Sequence, residues 1–390
     1  MRYQPAPAAL FEENRARLVA ALPPGALVIA HANDVMPTNA DGTLGHAANR
    51  DLYFLSGIDQ EESVLMLFPD APDPLLREIL FVRETSEQIA IWEGQKLTVE
   101  QARERSGIRN VKWTSQFETL FRQLMCQASA VFLPGNEHPR AQVEVESREL
   151  RFARRCRHEY PLHRLERLAP LLYPLRAVKT EAELDLLREA VRITRDGFLR
   201  VLRFTRPGVG EFEVEAELCH EFLRQRAGGF AYPPIIAAGA SSCVLHYVTN
   251  HEICRDGDVL LLDVAASYGH YNADLTRTIP VNGRFSPRQR AVYDAVLRVL
   301  RACCGMLRPG VILREYQEEA GKLMTSELIG LGLLDAAAVA DQDPEKPLYK
   351  KYFMHGTSHH LGLDVHDVPP AALPLQAGMV LTVEPGIYIR

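Results

Sequence analysis

Two aspartates, Asp263 and Asp274, are the residues whose type and spacing point first to chemistry. Asp263 interrupts the apolar, β-prone run Val259 to Val264, and Leu275 to Ile279 reads as a second strand of alternating character. Ser267-Tyr268-Gly269 between them carries a turn signal. In a hairpin centred near residues 268 and 269, Asp263 and Asp274 are equidistant from the centre. They then face each other across the ladder with Cβ atoms about 5 Å apart. Like charges placed opposite one another destabilise a strand pair, and a shared proton or a cation between them removes that penalty. The plainer reading makes one a turn residue and the other a surface charge. It suits Asp263 poorly, because four apolar residues precede it and three follow it.

Two further clusters lie near the C-terminal end. Phe353 to Asp367 holds His355, His359, His360 and His366, four of the thirteen histidines in twelve positions. Glu384 punctuates the strand-like run Gly378 to Gly386 as Asp263 punctuates its own. An ionised carboxylate among valines requires a partner or a metal. Asp263, Asp274, a histidine and Glu384 supply three carboxylates and one imidazole. That set suits Mn²⁺, Co²⁺ or Fe²⁺ better than a sulfur-rich structural zinc site, and its wealth of carboxylates suits two metals with shared bridging ligands. Each histidine also has a structural reading. His355 and His359, spaced i,i+4, could share a face of a short helix with His360 pointing away, and His246, after an apolar run, could be a hydrogen-bonded core residue.

These residues need a scaffold, and the chain supplies two kinds. Residues 7–22 read as a helix stopped by Pro23-Pro24-Gly25. Strand-like runs follow at Ala26 to Ala32, Ser63 to Phe68, Ile79 to Val82, Ile89 to Trp92 and Ala130 to Leu133. Asn33 to Asn49 reads as a loop, and Gln116 to Gln127 has helical spacing. Strands alternating with helices indicate an α/β domain with a partly parallel sheet over residues 1–172. The basic stretch Arg151 to Arg167 is either an anion site or subunit contact, or a solvated helix face, and the second is preferred. Pro170 to Lys179 reads as a linker. Thr180-Glu-Ala-Glu183 is a capping box that opens a helix with apolar residues at Leu184, Leu187, Val191 and Phe198. Glu211 to Ala227, Ser286 to Met306 and Leu313 to Leu328 read as further helices, and Pro233 to Ala240 and Cys243 to Val248 as strands. Residues 173–390 therefore read as an α+β domain with helices on one face of an antiparallel sheet.

Bulk properties narrow the function. The 390 residues are 47% hydrophobic and 24% charged with a net charge of −6, which argues against nucleic acid or an anionic membrane surface as partner. The N-terminus lacks the apolar core of a signal peptide, and no apolar run approaches a membrane span. Seven scattered cysteines without a CxxC pair indicate reduced thiols and a cytoplasmic protein.

Taken together, the motifs resemble the pita-bread metallopeptidase family, and within it the aminopeptidase P (Xaa-Pro aminopeptidase) group. Leu262-Asp263 with Ala273-Asp274-Leu-Thr-Arg-Thr-Ile-Pro280 is similar to the family's two-aspartate hairpin. His355-Gly-Thr-Ser-His359-His-Leu-Gly-Leu-Asp-Val-His366-Asp367 is similar to its histidine motif, and Leu381-Thr-Val-Glu384-Pro-Gly-Ile-Tyr388 to its glutamate motif. Ser358 before the ligand histidine resembles aminopeptidase P more than prolidase, where glycine is expected. Asn49-Arg-Asp51-Leu-Tyr-Phe-Leu-Ser-Gly57 is similar to a creatinase-like N-terminal domain. Ile91-Trp92-Glu-Gly94 is similar to a loop whose tryptophan reaches a neighbouring subunit's site, and Asp41 resembles an aspartate that reaches the same place.

The resemblance implies removal of the N-terminal residue from peptides with proline in second position, by a homo-oligomer (dimer or tetramer) carrying two divalent metal ions, with Mn²⁺ the expected metal. Asp263, Asp274, His359 and Glu384 would be the metal ligands, with Asp274 bridging. A metal-bridging hydroxide would attack the carbonyl before proline, with Glu384 accepting its proton. His246 and His366 would bind substrate and shuttle protons, and His355 would support the ligand shell. The resemblance also implies a second bridging glutamate beyond Glu384, and the sequence ends at Arg390 before one. On that basis these residues are expected to bind at most one metal tightly, to show little peptidase activity, and to leave Met379 to Ile389 as an unpaired edge. The alternatives are prolidase, or a pita-bread module that binds peptides without cleaving them.

Overall fold

The computed structural model describes residues 3–141, 144–368 and 373–390. Two compact units divide it, Pro5–Arg176 and Ala177–Arg390, the second including Tyr3 and Gln4.

The N-terminal unit contains α1 (Ala8–Ala21), β1 (Ala26–His31), α2 (Arg50–Ser56), β2 (Val64–Leu67), β3 (Glu78–Val82), α3 (Glu87–Glu93), α4 (Val99–Ser106) and β4 (Asn110–Trp113). It continues with α5 (Phe117–Met125), β5 (Ala130–Leu133), α6 (Arg148–Glu159), β6 (Arg164–Arg167) and α7 (Ala169–Ala177). The strands form one sheet in the order β4-β3-β2-β1-β5-β6. The β1–β5, β3–β4 and β5–β6 pairings are parallel, and β1–β2 and β2–β3 antiparallel. All six residues of β1 are buried, as a strand covered on both faces must be. Phe117 and Phe121 of α5 and Phe152 of α6 pack against Leu27, Ile29, Val131 and Phe81. Arg15 of α1, only 1% exposed, donates from Nη1 to the Leu55 carbonyl at 2.8 Å and the Ser106 carbonyl at 2.9 Å, and its Nε meets Glu78 at 3.1 Å. One guanidinium thereby satisfies carbonyls at the C-terminal ends of both α2 and α4.

Several expected elements take another form. Ile89 to Trp92 is helical, inside α3: the Ser86 hydroxyl caps the Ile89 amide, and Glu87 sits in the first turn. Pro170 to Lys179 is mostly α7, with Pro174 inside it. The basic stretch divides between α6 and β6, and several of its arginines pair with nearby carboxylates. Arg151 pairs with Asp34 at 2.7 Å, Arg155 with Glu118 at 2.5 Å, and Arg167 with Glu137. The solvated-face reading describes it.

The C-terminal unit contains α8 (Glu181–Phe204), α9 (Glu211–Arg224), β7 (Gly229–Phe230), β8 (Ile235–Ala238), β9 (Val259–Asp263), β10 (Ala266–Tyr268), β11 (Tyr271–Asn272) and β12 (Thr276–Pro280). The helices α10 (Pro287–Met306), α11 (Leu313–Gly330) and α12 (Ala336–Ala340) follow. Two three-stranded antiparallel sheets, β11-β10-β7 and β12-β9-β8, carry α8 and α9 against one face. This is the expected α+β arrangement. Leu260 and Leu262 of β9 are buried against those helices, so the alternation turns Asp263 to the opposite face. At Gly197 an added Cβ would lie 2.6 Å from the Phe222 ring, so the closeness of α8 and α9 depends on glycine there. The expected strand Cys243 to Val248 is instead the end of a short 3₁₀ turn followed by irregular chain.

The organising hairpin turns one residue later than expected. Tyr268 pairs with Tyr271, and Gly269 and His270 between them both take positive φ, 56° and 67°. This two-residue turn of mirror-image geometry suits the twist of its strands. Asp263 therefore faces Thr276, and Asp274 lies diagonally, two residues along. A register difference of two leaves both carboxylates on one face, where a difference of one would have separated them. The expectation of an unpaired edge over Met379 to Ile389 also fails on one side. The Leu361 amide donates to Val380 at 3.0 Å, Thr382 to His359 at 3.0 Å, Glu384 to Thr357 at 2.8 Å and Tyr388 to Tyr352 at 2.9 Å. Val383 and Ile387 meanwhile pack against the core of α10 and α11.

Replacing Arg15 with Met should strand two helix-end carbonyls. Urea titration should show a loss of about 2–4 kcal/mol, with metal binding unchanged, since buried unsatisfied polar groups cost about 1–3 kcal/mol each.

Candidate metal centre

Five segments deliver the site. Asp263 ends β9, Asp274 lies between β11 and β12, and Tyr232 lies between β7 and β8. His359 and Glu384 sit on the two irregular segments that pair with each other through the Thr382–His359 backbone bond.

His359 Nε2 stands 3.0 Å from Glu384 Oε1 and 3.4 Å from Asp274 Oδ2. Ligand atoms of Asp274, His359 and Glu384 all fall within 4.8 Å of one another. The Tyr232 hydroxyl donates to Asp263 Oδ1 at 2.5 Å and lies 3.2 Å from Asp274 Oδ1, which joins Asp263 to the same cluster. The Thr382 hydroxyl donates to Glu384 Oε1 at 2.8 Å and accepts from the His359 amide at 3.1 Å.

The orientation of His359 is set by its other ring nitrogen. Nδ1 lies 2.9 Å from the His360 carbonyl, an acceptor only, so Nδ1 carries a proton. In the neutral ring the Nε2 lone pair then aims at the carboxylates. This is how a metal-ligating histidine is held. The electrostatics make the same demand for positive charge. Burial, then Asp274, pushes the Asp263 carboxyl up to about 7. Burial opposes a charged His359, but its hydrogen bonds to Asp274 and Glu384 prevail and raise it to about 10. Burial, then Asp263 and Asp274, raises the Tyr232 hydroxyl well above its usual range, so it stays a donor. A divalent cation among these oxygens and Nε2 would answer all of these strains. The donor set, oxygen-rich with one imidazole and no sulfur, fits a divalent cation of the Mn²⁺ class.

The remaining histidines separate. The His366 ring lies against His359, centroids 4.2 Å apart. His355 is not on a helix with His359. Its Nε2 meets the Tyr388 hydroxyl at 2.9 Å and its ring abuts Phe353, because residues 357–361 extend to pair with residues 380–384. His360 is buried and is not one of the grouped ligands. His246 is not a core histidine: it is exposed on the turn that follows Cys243. In the N-terminal unit Asp41 is exposed in its loop, and Trp92, at 82% exposure, projects from α3. Tyr232 and Thr382 are the site residues that sequence reasoning missed. Thr382 is two residues from Glu384 in a strand-like run, so period-2 spacing could have found it. Nothing local marks Tyr232.

Residues 185–390 match metallopeptidase family M24, and residues 11–132 match the aminopeptidase P N-terminal domain. The chain belongs to the M24 metallopeptidases. It is 34% identical to the Xaa-Pro aminopeptidase of Escherichia coli K12 over 387 residues, covering 97% of this chain and 86% of the relative. Among solved structures, proline aminopeptidase P II from Yersinia pestis superposes with a TM-score of 0.86 at 32% identity, covering 98% of this chain and 88% of that one. Aminopeptidase PepP from Pseudomonas aeruginosa gives 0.88 at 30% identity, covering 99% and 88%. The chain is thus a metallopeptidase that uses divalent metal, with the two-domain aminopeptidase P fold.

Equilibrium dialysis against Mn²⁺ tests the centre. His359→Ala should abolish tight binding, and Thr382→Val, which removes only a supporting hydroxyl, should weaken it about 10- to 100-fold. Unchanged affinity in His359→Ala would place the metal elsewhere.

Proposed function

We infer that the chain is an Xaa-Pro aminopeptidase, releasing the N-terminal residue from peptides whose second residue is proline. The observation that carries this reading is the convergence of Asp274, His359 and Glu384 on one point, with Asp263 joined through Tyr232 and His366 alongside, in a chain similar to Xaa-Pro aminopeptidases along nearly its whole length.

Asp263, Asp274, His359 and Glu384 would hold divalent metal, Mn²⁺ by the hardness of the donors, and a second ion would call for the further glutamate that the resemblance implies. When bound, the metal supplies Lewis-acid polarisation of the scissile carbonyl and water of lowered pKa. The chain does the rest. Glu384 accepts the proton of the attacking water. His366, beside His359, holds the substrate carbonyl and passes a proton toward the departing proline nitrogen. His246, exposed on its turn, is proposed to help bind the substrate. His355 steadies Tyr388, four residues beyond Glu384, and so the segment that carries Glu384. Trp92, exposed on α3, and Asp41 are proposed to reach the site of a second copy in a dimer or tetramer. Seven cysteines without a disulfide accord with a cytoplasmic setting.

With Mn²⁺ supplied, what activity residues 1–390 show should fall on a tripeptide with proline second and leave a dipeptide ending in proline largely intact; two tightly held Mn²⁺ ions with robust cleavage would show that the site needs no further bridging glutamate. The reverse preference would make the chain a prolidase. His366→Ala should lower kcat about 100-fold or more while metal stays bound, and lost metal would make His366 a ligand. Trp92→Ala should slow turnover of longer peptides without lowering Tm, and a monomer by light scattering would remove that role.

A further inference from the structure

A second charged cluster lies in the same unit as the metal centre and has no part in the chemistry above. Lys179 Nζ meets Asp367 Oδ2 at 2.8 Å, and both side chains are 1% exposed. A fully buried ion pair is poor evidence of stability, because desolvation consumes most of its attraction; its best-attested use is to enforce one arrangement. Both partners here are set to enforce one. Lys179 immediately precedes the Thr180 cap of α8, and its amide donates to Gly378 at 2.9 Å, so its backbone is fixed. Asp367 directly follows His366, and its amide donates to the His360 carbonyl at 2.9 Å.

The loop between His359 and Asp367 is held at its middle as well. Asn272, buried two residues before Asp274, donates from its amide to Gly362 at 2.9 Å and from Nδ2 to Leu363 at 2.8 Å. At Gly362 the loop passes directly over the ion pair: an added Cβ would lie 2.2 Å from Asp367 Oδ2 and 3.0 Å from Lys179 Cε. The loop is therefore tied to the aspartate hairpin at its centre and to the start of α8 at its end. His366 is the residue next to that final tie.

We propose that the buried Lys179–Asp367 pair, with Asn272, positions His366 for the reaction. Lys179, Asp367 and Asn272 are positioning residues; none is among the metal-site or substrate residues named above. The inference rests on the peptidase reading for the role of His366, but the loop anchoring stands on its own geometry.

The decisive variant is Lys179→Met with Asp367→Leu, which removes both charges and leaves neither buried alone. Four quantities are read: Tm, bound Mn²⁺, hydrogen exchange of residues 360–368 without added metal, and kcat and KM on a proline-second tripeptide. Tm and bound Mn²⁺ should hold near wild type. Exchange in 360–368 should rise about tenfold or more, and kcat should fall about tenfold or more with KM little changed, since small misplacements of reacting groups cost that much. In a His366→Ala background the same double change should have no further effect on kcat, the mark of action through His366. Gly362→Ala keeps both charges yet displaces the carboxylate, and should show the same pattern if the double variant does not fold. Wild-type exchange and kcat in a stable variant, or an equal loss of kcat with and without His366, would overturn the proposal. Should the wild-type chain leave the tripeptide uncut, kcat carries no information and hydrogen exchange alone still decides the anchoring.

Discussion

Carboxylates do not gather in a protein interior without an opposing charge, and this constraint governs the C-terminal unit. Asp263, Asp274 and Glu384 arrive from three separate places in the sequence, and each would be costly alone. His359 and Tyr232 relieve part of the repulsion by donating into the cluster. A hydroxyl and one imidazolium are a weak answer to three carboxylates, and the strain on Asp263 shows it. The complete answer is a divalent cation, and the scaffold is built to present the ligands to one.

That scaffold works by keeping each ligand on a backbone with no freedom of its own. Asp263 stands where buried Leu260 and Leu262 fix the face of β9. Asp274 follows a hairpin whose turn is locked by two left-handed residues. His359 and Glu384 belong to segments bonded to one another through the backbone and again through Thr382. The metal site, the histidine loop and the start of α8 are consequently one connected set of anchors, Lys179 and Asp367 included.

Much of this was legible because it was local. The capping box at Thr180 and Glu183, the interruption of an apolar run by Asp263 and the isolation of Glu384 among apolar residues are each visible within a few positions. The hairpin register was read two residues away because nothing marks His270, a non-glycine, for a left-handed turn. Ile89 to Trp92 was read as a strand from its β-prone residues, yet the Ser86 cap decided for helix. The i,i+4 spacing of His355 and His359 suggested a helix, yet pairing with residues 380–384 drew the segment out. Tyr232, Asn272 and the Lys179–Asp367 pair act across 42, 91 and 188 residues of sequence, distances over which no pattern carries.

The central claim is that these side chains share a divalent cation at one place. Crystals of the chain grown with Mn²⁺ and measured for anomalous scattering test it most directly. An anomalous peak about 2.0–2.2 Å from Asp274, His359 and Glu384 ligand atoms is expected, with Asp263 also in contact with a metal. No peak at that point under saturating Mn²⁺, or a peak held by other residues, would contradict the account.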